Sequence, residues 1–160
     1  MTTPLVVILM GSRADESHCQ KISEAVQSFG IEVGLHVGSA HKTPRHVLDL
    51  LERYEKDPRP KVYITVAGRS NALAGFVDGA VSAPVITCPP PNEAFGGADI
   101  FSSLRMPSGI APGVVLEPTN AALLAAKILA LVDGTVKARV AAFQKAQAQK
   151  VVDDNKTFES

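Results

Sequence analysis

The residues best suited to chemistry in this sequence are Ser39, His41 and Lys42, which fall in one short segment, 38–44. His41 can both donate and accept a proton near neutral pH, because the unperturbed pKa of an imidazole is about 6.5. Lys42 would supply a fixed positive charge for an anionic ligand, and the Ser39 hydroxyl can donate a hydrogen bond. The segment therefore indicates proton transfer beside a bound anion. The alternative is that the segment is an ordinary solvent-exposed loop between a strand and a helix, with no function in chemistry.

The flanking residues predict a strand before this segment and a helix after it. Apolar residues alternate over 31–37, as they do in a strand, and recur at helical spacing over 47–54. Thr43 is expected to cap the helix, and Pro44 suits its first turn, where a missing N–H costs nothing. In an open α/β sheet, ligands bind at the turns that follow the carboxyl ends of the strands. The segment is therefore predicted to lie at the ligand-binding edge of a sheet.

The same order of strand, turn and helix recurs along the chain and predicts an α/β fold with a parallel sheet covered by helices on both faces. The predicted strands are 5–10, 31–37, 62–66, 84–88 and 113–117. Helices are expected after each of the first three strands, and then over 100–104, 121–132 and about 136–152. Asn120 is expected to cap the helix over 121–132, whose nearly uncharged surface indicates burial in this subunit or against another one.

Length and composition indicate one domain, 1–160, with a frayed tail at 153–160. The 16 basic and 16 acidic residues balance and form no charged run, so nothing indicates a nucleic-acid partner. Cys19 and Cys88 lack metal-ligand spacing, so we expect two buried thiols and no metal site. The N-terminal apolar run is too short for a signal sequence or a membrane span. We therefore expect a cytoplasmic protein with no membrane partner.

Two other turns at predicted strand ends also carry small and polar residues. Residues 11–15 (Gly-Ser-Arg-Ala-Asp) follow the first strand, and residues 67–71 (Ala-Gly-Arg-Ser-Asn) follow the third. Right-handed crossovers between parallel strands would bring both turns beside residues 38–44, where all three could share one ligand. The serine of each turn can donate to phosphate oxygens: Ser12, Ser39 and Ser70. Asp15 has the wrong charge for phosphate and is expected to accept hydrogen bonds from sugar hydroxyls.

Several common site types have no support in this sequence. It lacks the glycine patterns of dinucleotide and P-loop sites, the nucleophile elbow and the zinc-protease motif. His18, His36 and His46 are not at ligand spacing, so we expect them on helix or strand surfaces. Arg105 lies in a turn where it could bind an anion or form a surface salt bridge.

Five segments, in this order, resemble the class II AIR carboxylase family, the phosphoribosylaminoimidazole carboxylases of purine synthesis (AIR is aminoimidazole ribonucleotide). They are Gly-Ser-x-x-Asp at 11–15, Ser-Ala-His-Lys-Thr at 39–43, residues 67–71, Cys-Pro-Pro at 88–90 and Ser-Ser-Leu-Arg-Met-Pro-Ser-Gly at 102–109. The resemblance covers residues 5 to about 130. It implies a flavodoxin-like, three-layer α/β/α subunit in a homo-octamer, with active sites near the subunit contacts.

The resemblance also implies an activity. Class II enzymes carboxylate AIR with CO2 reversibly and use no ATP, biotin, metal or other cofactor. His41 would carry the proton, and the substrate-binding residues would be Ser12, Asp15, Ser39, Lys42, Gly68, Ser70, Asn71 and Arg105. One departure is Ala14, which replaces a second serine of the family pattern and could weaken phosphate binding by about 1 kcal/mol.

Three other functions stay open at this point. Class I relatives move a carboxylate within N5-carboxy-AIR, but they usually have Ser-Ala-His-Arg and Ala-Gly-Gly-Ala-Ala-His, where this chain has Lys42 and the turn 67–71. A flavodoxin-like module that binds without catalysis is a second alternative. A flavoprotein is the third, although few aromatic residues fall in the predicted loops.

Overall fold

The computed structural model describes residues 2–158 and shows the predicted alternation of strands and helices. The strands are β1 (Leu5–Met10), β2 (Glu32–Val37), β3 (Lys61–Val66), β4 (Val85–Thr87) and β5 (Gly113–Val114). The α-helices are α1 (Glu16–Ser28), α2 (Pro44–Glu55), α3 (Ala72–Asp78), α4 (Phe101–Leu104), α5 (Pro118–Leu129) and α6 (Gly134–Lys156). Two 3₁₀ segments, Arg13–Asp15 and Ala94–Ile100, precede α1 and α4.

All five strands are parallel and lie in the order β2-β1-β3-β4-β5. The chain leaves β1 toward one side to form β2 and then returns to the other side to form β3. The order of the strands therefore reverses next to β1, and a crevice forms at the carboxyl ends of strands at such a point. Since every strand is parallel, all their carboxyl ends lie at this same edge of the sheet.

The residues of β1 alternate between two hydrophobic clusters, one on each face of the sheet. Val6, Ile8 and Met10 pack with the apolar residues of α1, α5 and the first half of α6. Leu5, Val7 and Leu9 pack with those of α2 and α3. Because helices cover both faces, all six β1 residues are buried, which explains the continuous apolar run. The three-layer α/β/α arrangement predicted from the sequence is confirmed.

The predicted bounds of two helices were wrong. Helix α5 begins at Pro118 with Glu117 as the N-cap, so Asn120 lies inside its first turn and does not cap it. Proline is favourable there because the first helical residue needs no N–H partner. The alanines of α5 are buried inside this chain, which agrees with the burial expected for this helix. Helix α6 continues to Lys156, so residues 153–156 are helical, whereas 159–160 of the expected tail lie outside the described residues.

His36 was expected on the surface but is half-buried between β2 and α2. Its Nε2 atom lies 2.6 Å from the Tyr54 hydroxyl, and the two rings pack edge to face. Burial lowers the pKa of His36 below its usual 6.5, with smaller contributions from Arg53 and His46. The folded protein therefore favours the neutral imidazole.

This preference makes stability depend on pH. We expect the free energy of unfolding to fall as the pH drops below about 6.5. His36 takes up a proton in the unfolded chain at that pH, whereas its lowered pKa disfavours protonation in the folded chain. Urea titrations at pH 7.5 and 5.5 would measure the loss, and His36→Gln should reduce it. The exposed His46→Gln is the matched control; if both variants lose as much stability as the unmodified chain, His36 is not a source of the effect.

Candidate active site

The turns that follow β1, β2 and β3 meet at the carboxyl edge of the sheet and enclose a cavity of about 450 Å³. The convergence expected from right-handed crossovers is therefore observed. Seven of the predicted site residues line this cavity: Ser12, Asp15, Ser39, His41, Lys42, Gly68 and Ser70. The cavity thus contains an imidazole, an ammonium group, a carboxylate and three hydroxyls.

The first turn places Asp15 at the cavity. The Ser12 hydroxyl accepts a hydrogen bond from the Ala14 amide at 3.2 Å, and the Asp15 amide donates to the Ser12 carbonyl at 3.1 Å. Asp15 occupies the N-cap position of α1, but its carboxylate makes no capping bond. Burial raises the pKa of Asp15, and the charge interaction with His18 opposes that rise. The carboxylate is therefore half-buried, close to the start of a helix and not used by that helix.

The second turn closes on itself and carries His41 and Lys42 at its tip. The Ser39 hydroxyl accepts from the Lys42 amide at 3.2 Å, and the Thr43 amide donates to the Ser39 carbonyl at 2.9 Å. Thr43 occupies the predicted N-cap position of α2, but its hydroxyl does not cap the helix. It instead accepts from the Ser39 amide at 3.0 Å and donates to the Ser39 carbonyl at 3.3 Å. These bonds fix a compact loop from which the two exposed side chains reach the cavity.

The third turn, residues 67–71, leaves an open space at Gly68 next to the first turn, residues 11–15. A Cβ atom at Gly68 would lie 3.1 Å from Cγ of Pro90 and 3.9 Å from Oδ1 of Asp15. A side chain at this position would therefore fill the space between the proline ring and the carboxylate. Ser70 has a φ of 31°, an uncommon left-handed conformation for a residue other than glycine. Such backbone conformations are concentrated at functional sites.

Comparison with known proteins identifies the family. The AIR carboxylase family model matches residues 5–150, which is most of the chain. The chain belongs to the AIR carboxylase family. A phosphoribosylaminoimidazole carboxylase of Treponema denticola is 56% identical over 152 residues, covering 95% of this chain and 96% of that protein. One of Archaeoglobus fulgidus is 52% identical over 145 residues, covering 91% of this chain and 79% of that protein.

Solved structures agree with the family match. The crystal structure of Treponema denticola PurE superposes with a TM-score of 0.96 at 54% sequence identity, and the match covers 98% of this chain and 99% of that one. This similarity supports both the family assignment and the fold. This member of the AIR carboxylase family is therefore an enzyme with the α/β architecture of PurE.

Asn71 does not line the cavity of this AIR carboxylase, although we expected it to bind substrate. Its side chain is buried, and Oδ1 accepts from the Ala74 amide at 3.3 Å, which caps α3. Nδ2 donates to the Thr87 hydroxyl at 2.6 Å and to the Ser103 hydroxyl at 2.9 Å. All three bonds are internal, so Asn71 holds the third turn against β4 and α4.

Arg105 also lies outside the residues that line the cavity. The side chain is exposed in the turn after α4. Within residues 2–158 it forms no ion pair, so the structure shows neither the anion contact nor the surface salt bridge that we considered.

Sequence analysis missed Asn92 and gave no role to Arg69, and both line the cavity. The Asn92 amide group donates to the Gly68 carbonyl and to the Asp99 carboxylate, each at 2.9 Å. It follows β4 directly after three prolines, so the rule that ligands bind at strand ends could have found it. Arg69 adds a second cation near Lys42, which favours an anionic ligand.

The described residues show neither a metal-binding cluster nor a membrane-spanning helix. Over residues 2–158, His, Cys, Asp and Glu side chains form no group of three that could hold a metal ion. No helix in that range is both long and apolar enough to span a bilayer.

Replacing Asn71 tests its structural role. Asn71→Ala should lower the free energy of unfolding by about 2–4 kcal/mol, because it removes a helix cap and leaves the Thr87 and Ser103 hydroxyls without their donor. Urea denaturation would measure the change. Asn120→Ala, at an exposed position in α5, is the control and should change stability by no more than about 0.5 kcal/mol. Equal losses in the two variants would contradict this assignment.

Proposed function

We propose that this enzyme carboxylates AIR at C4 with CO2 to give 4-carboxy-AIR, reversibly and without ATP, biotin or a metal. This is the class II reaction of the family. The observation that carries the proposal is that His41 and Lys42 share one cavity with Ser12, Asp15 and Ser70. A proton carrier, a fixed cation and hydrogen-bonding groups for a sugar phosphate are thus available to one bound molecule.

The phosphate of AIR is assigned to the edge formed by the first two turns. The hydroxyls of Ser12 and Ser39 each accept one bond from the backbone, and each keeps a proton to donate. Backbone N–H groups at the starts of α1 and α2 and the charge of Lys42 would complete the anion site. Asp15 would accept hydrogen bonds from the ribose hydroxyls, since its carboxylate makes no bond to its own helix.

The imidazole of AIR would then lie between His41 and the third turn. Gly68 and Ser70 would border the space for CO2, and Asn71 would contribute only by holding this turn in place. The electron pair of the exocyclic amine pushes through the ring so that C4 attacks the carbon of CO2. A C–C bond forms, and one C=O π pair moves to oxygen to give the carboxylate. His41 then accepts the proton from C4, which restores the aromatic ring, and donates it in reverse.

The residues around the histidine favour the class II reaction over the class I mutase reaction. This chain has Lys42 after His41, and its third turn reads Gly-Arg-Ser-Asn at 68–71. The class I pattern would have arginine after the histidine and Gly-Gly-Ala-Ala-His in the third turn. The mutase reaction on N5-carboxy-AIR is therefore the second candidate.

We also propose that the enzyme is cytoplasmic, as its cysteines and short N-terminal apolar run led us to expect. We further propose that it assembles as a homo-octamer, as the family resemblance implies. The surface near the ends of β4 and β5 supports assembly, because three large apolar side chains lie exposed there: Phe95, Phe101 and Leu116. Arg105 lies outside the cavity of its own chain, so its expected contact with substrate would be made in a neighbouring subunit.

A direct assay tests the reaction. The purified enzyme should convert AIR to 4-carboxy-AIR with dissolved CO2 in the absence of ATP, followed by ultraviolet absorbance. N5-carboxy-AIR, offered in a parallel reaction, should not be consumed. Consumption of that compound alone would favour the mutase reaction, thermal stabilisation by AIR without product would favour a binding module, and a yellow purified protein would indicate a flavin.

His41→Asn tests the proton carrier. The variant should lose about 10²–10⁴-fold in kcat, because asparagine keeps a polar group but cannot accept the C4 proton. AIR affinity, measured by calorimetry, should change little. His46→Asn is the matched control, since His46 is exposed on the same helix start and does not line the cavity. Near-normal turnover in His41→Asn would remove this residue from the mechanism.

A further inference from the structure

We propose that His18 is a positioning residue for Asp15, and that it acts by tying the first turn of α1 to the end of β4 through Cys88. The inference rests on the proposed function, because Asp15 is assigned to the ribose of AIR. His18 does not line the cavity, and nothing in the sequence set it apart from a surface histidine. Its contacts in the folded chain carry the argument.

His18 is half-buried and lies against a residue 70 positions away in the chain. Its Nε2 atom is 3.4 Å from Sγ of Cys88, which is fully buried directly after β4. The Cys88 thiol in turn donates to the Leu116 carbonyl at 3.6 Å. One chain of contacts therefore connects the start of α1 with the segments that follow β4 and β5.

The direction of these bonds follows from the number of protons. A thiol has one proton, and the Leu116 carbonyl can only accept, so that proton points to the carbonyl. With the thiol proton on the carbonyl, the sulfur accepts from His18 in the tautomer that carries the imidazole proton on Nε2. Burial raises the pKa of Cys88 to about 12 and lowers the pKa of His18 below 6.5, so thiol and neutral imidazole are the forms present at pH 7.

Asp15 depends on this anchor because no bond of its own side chain holds it. Its carboxylate is three residues before His18, at the N-cap position, and makes no capping hydrogen bond. Its Oδ1 atom faces the third turn at Gly68, where the ligand is assigned. The position of the carboxylate is therefore set by the backbone of the first turn of α1, which His18 attaches to β4.

Electrostatic surroundings agree with this arrangement. Besides Cys88, whose backbone also forms a hydrogen bond with the imidazole, three charged groups act on His18: Asp15, Lys21 and Glu117.

The test is a double-mutant cycle between the two residues. His18→Ala should raise KM for AIR about fivefold to tenfold, the effect of one hydrogen bond, and leave kcat nearly unchanged. In an Asp15→Ala background the same change should raise KM by less than about twofold, because the acceptor that His18 positions is already lost. Steady-state kinetics of the full-length enzyme would measure all four proteins.

Three further variants separate positioning from general stability. His18→Gln keeps an N–H donor and should recover most of the lost affinity. Cys88→Ala removes the thiol contact but keeps the backbone bond of residue 88, so it should reproduce only part of the rise in KM. His36→Ala is the matched control: this residue is another half-buried histidine with one side-chain partner, Tyr54, and lies away from the cavity. It should lower the melting temperature and leave KM unchanged.

The outcomes are distinct from those of the proposed function. Three results would overturn the role of His18 while the enzyme still carboxylates AIR. They are a normal KM in His18→Ala, a rise in KM that is equally large in the Asp15→Ala background, and an equal rise in His36→Ala. If the unmodified enzyme does not turn over AIR at all, the proposed function fails, and this inference fails with it.

Discussion

The parallel alignment of the strands is the constraint on which the rest of this structure depends. Parallel strands need crossover helices, and right-handed crossovers place every strand-to-helix turn at one edge of the sheet. Because β2 and β3 flank β1 on opposite sides, the turns after these three strands become neighbours. Residues as far apart in the chain as Ser12, His41 and Ser70 can then line a single cavity.

The same arrangement separates residues that fix the turns from residues that face the cavity. Thr43 and the Ser39 hydroxyl oxygen bond the second turn to itself, and Asn71 bonds the third turn to β4 and α4. His41 and Lys42 are exposed at the tip of a turn that is already closed. Such a loop loses little conformational freedom when a ligand binds, because its hydrogen bonds exist beforehand.

The end of β4 and the segment after it contact the third turn and the start of α1. Asn92, from the segment after β4, donates to the Gly68 carbonyl in the third turn, and Thr87 within β4 receives the Asn71 amide. Cys88 lies between them and contacts His18 at the start of α1. The proline-rich segment after β4 therefore lines part of the cavity. Contacts from this region also hold the third turn and the start of α1 in place.

The local sequence determined the fold class and much of the cavity, because helices, strands and turns depend on residues that are neighbours in the chain. The apolar run of β1, the helical spacing of α1 and the polar turns at 11–15, 38–44 and 67–71 were sufficient to predict the fold class and seven cavity residues. Tertiary structure alone decided the partners of Asn71, the contact between His18 and Cys88, and the N-cap of α5 at Glu117. The first two join residues 16 to 70 positions apart, so only packing brings the groups together. The start of α5 depends on which of several neighbouring residues takes the N-cap position. Hydrophobic periodicity does not distinguish between such neighbours, so it does not locate the start of the helix.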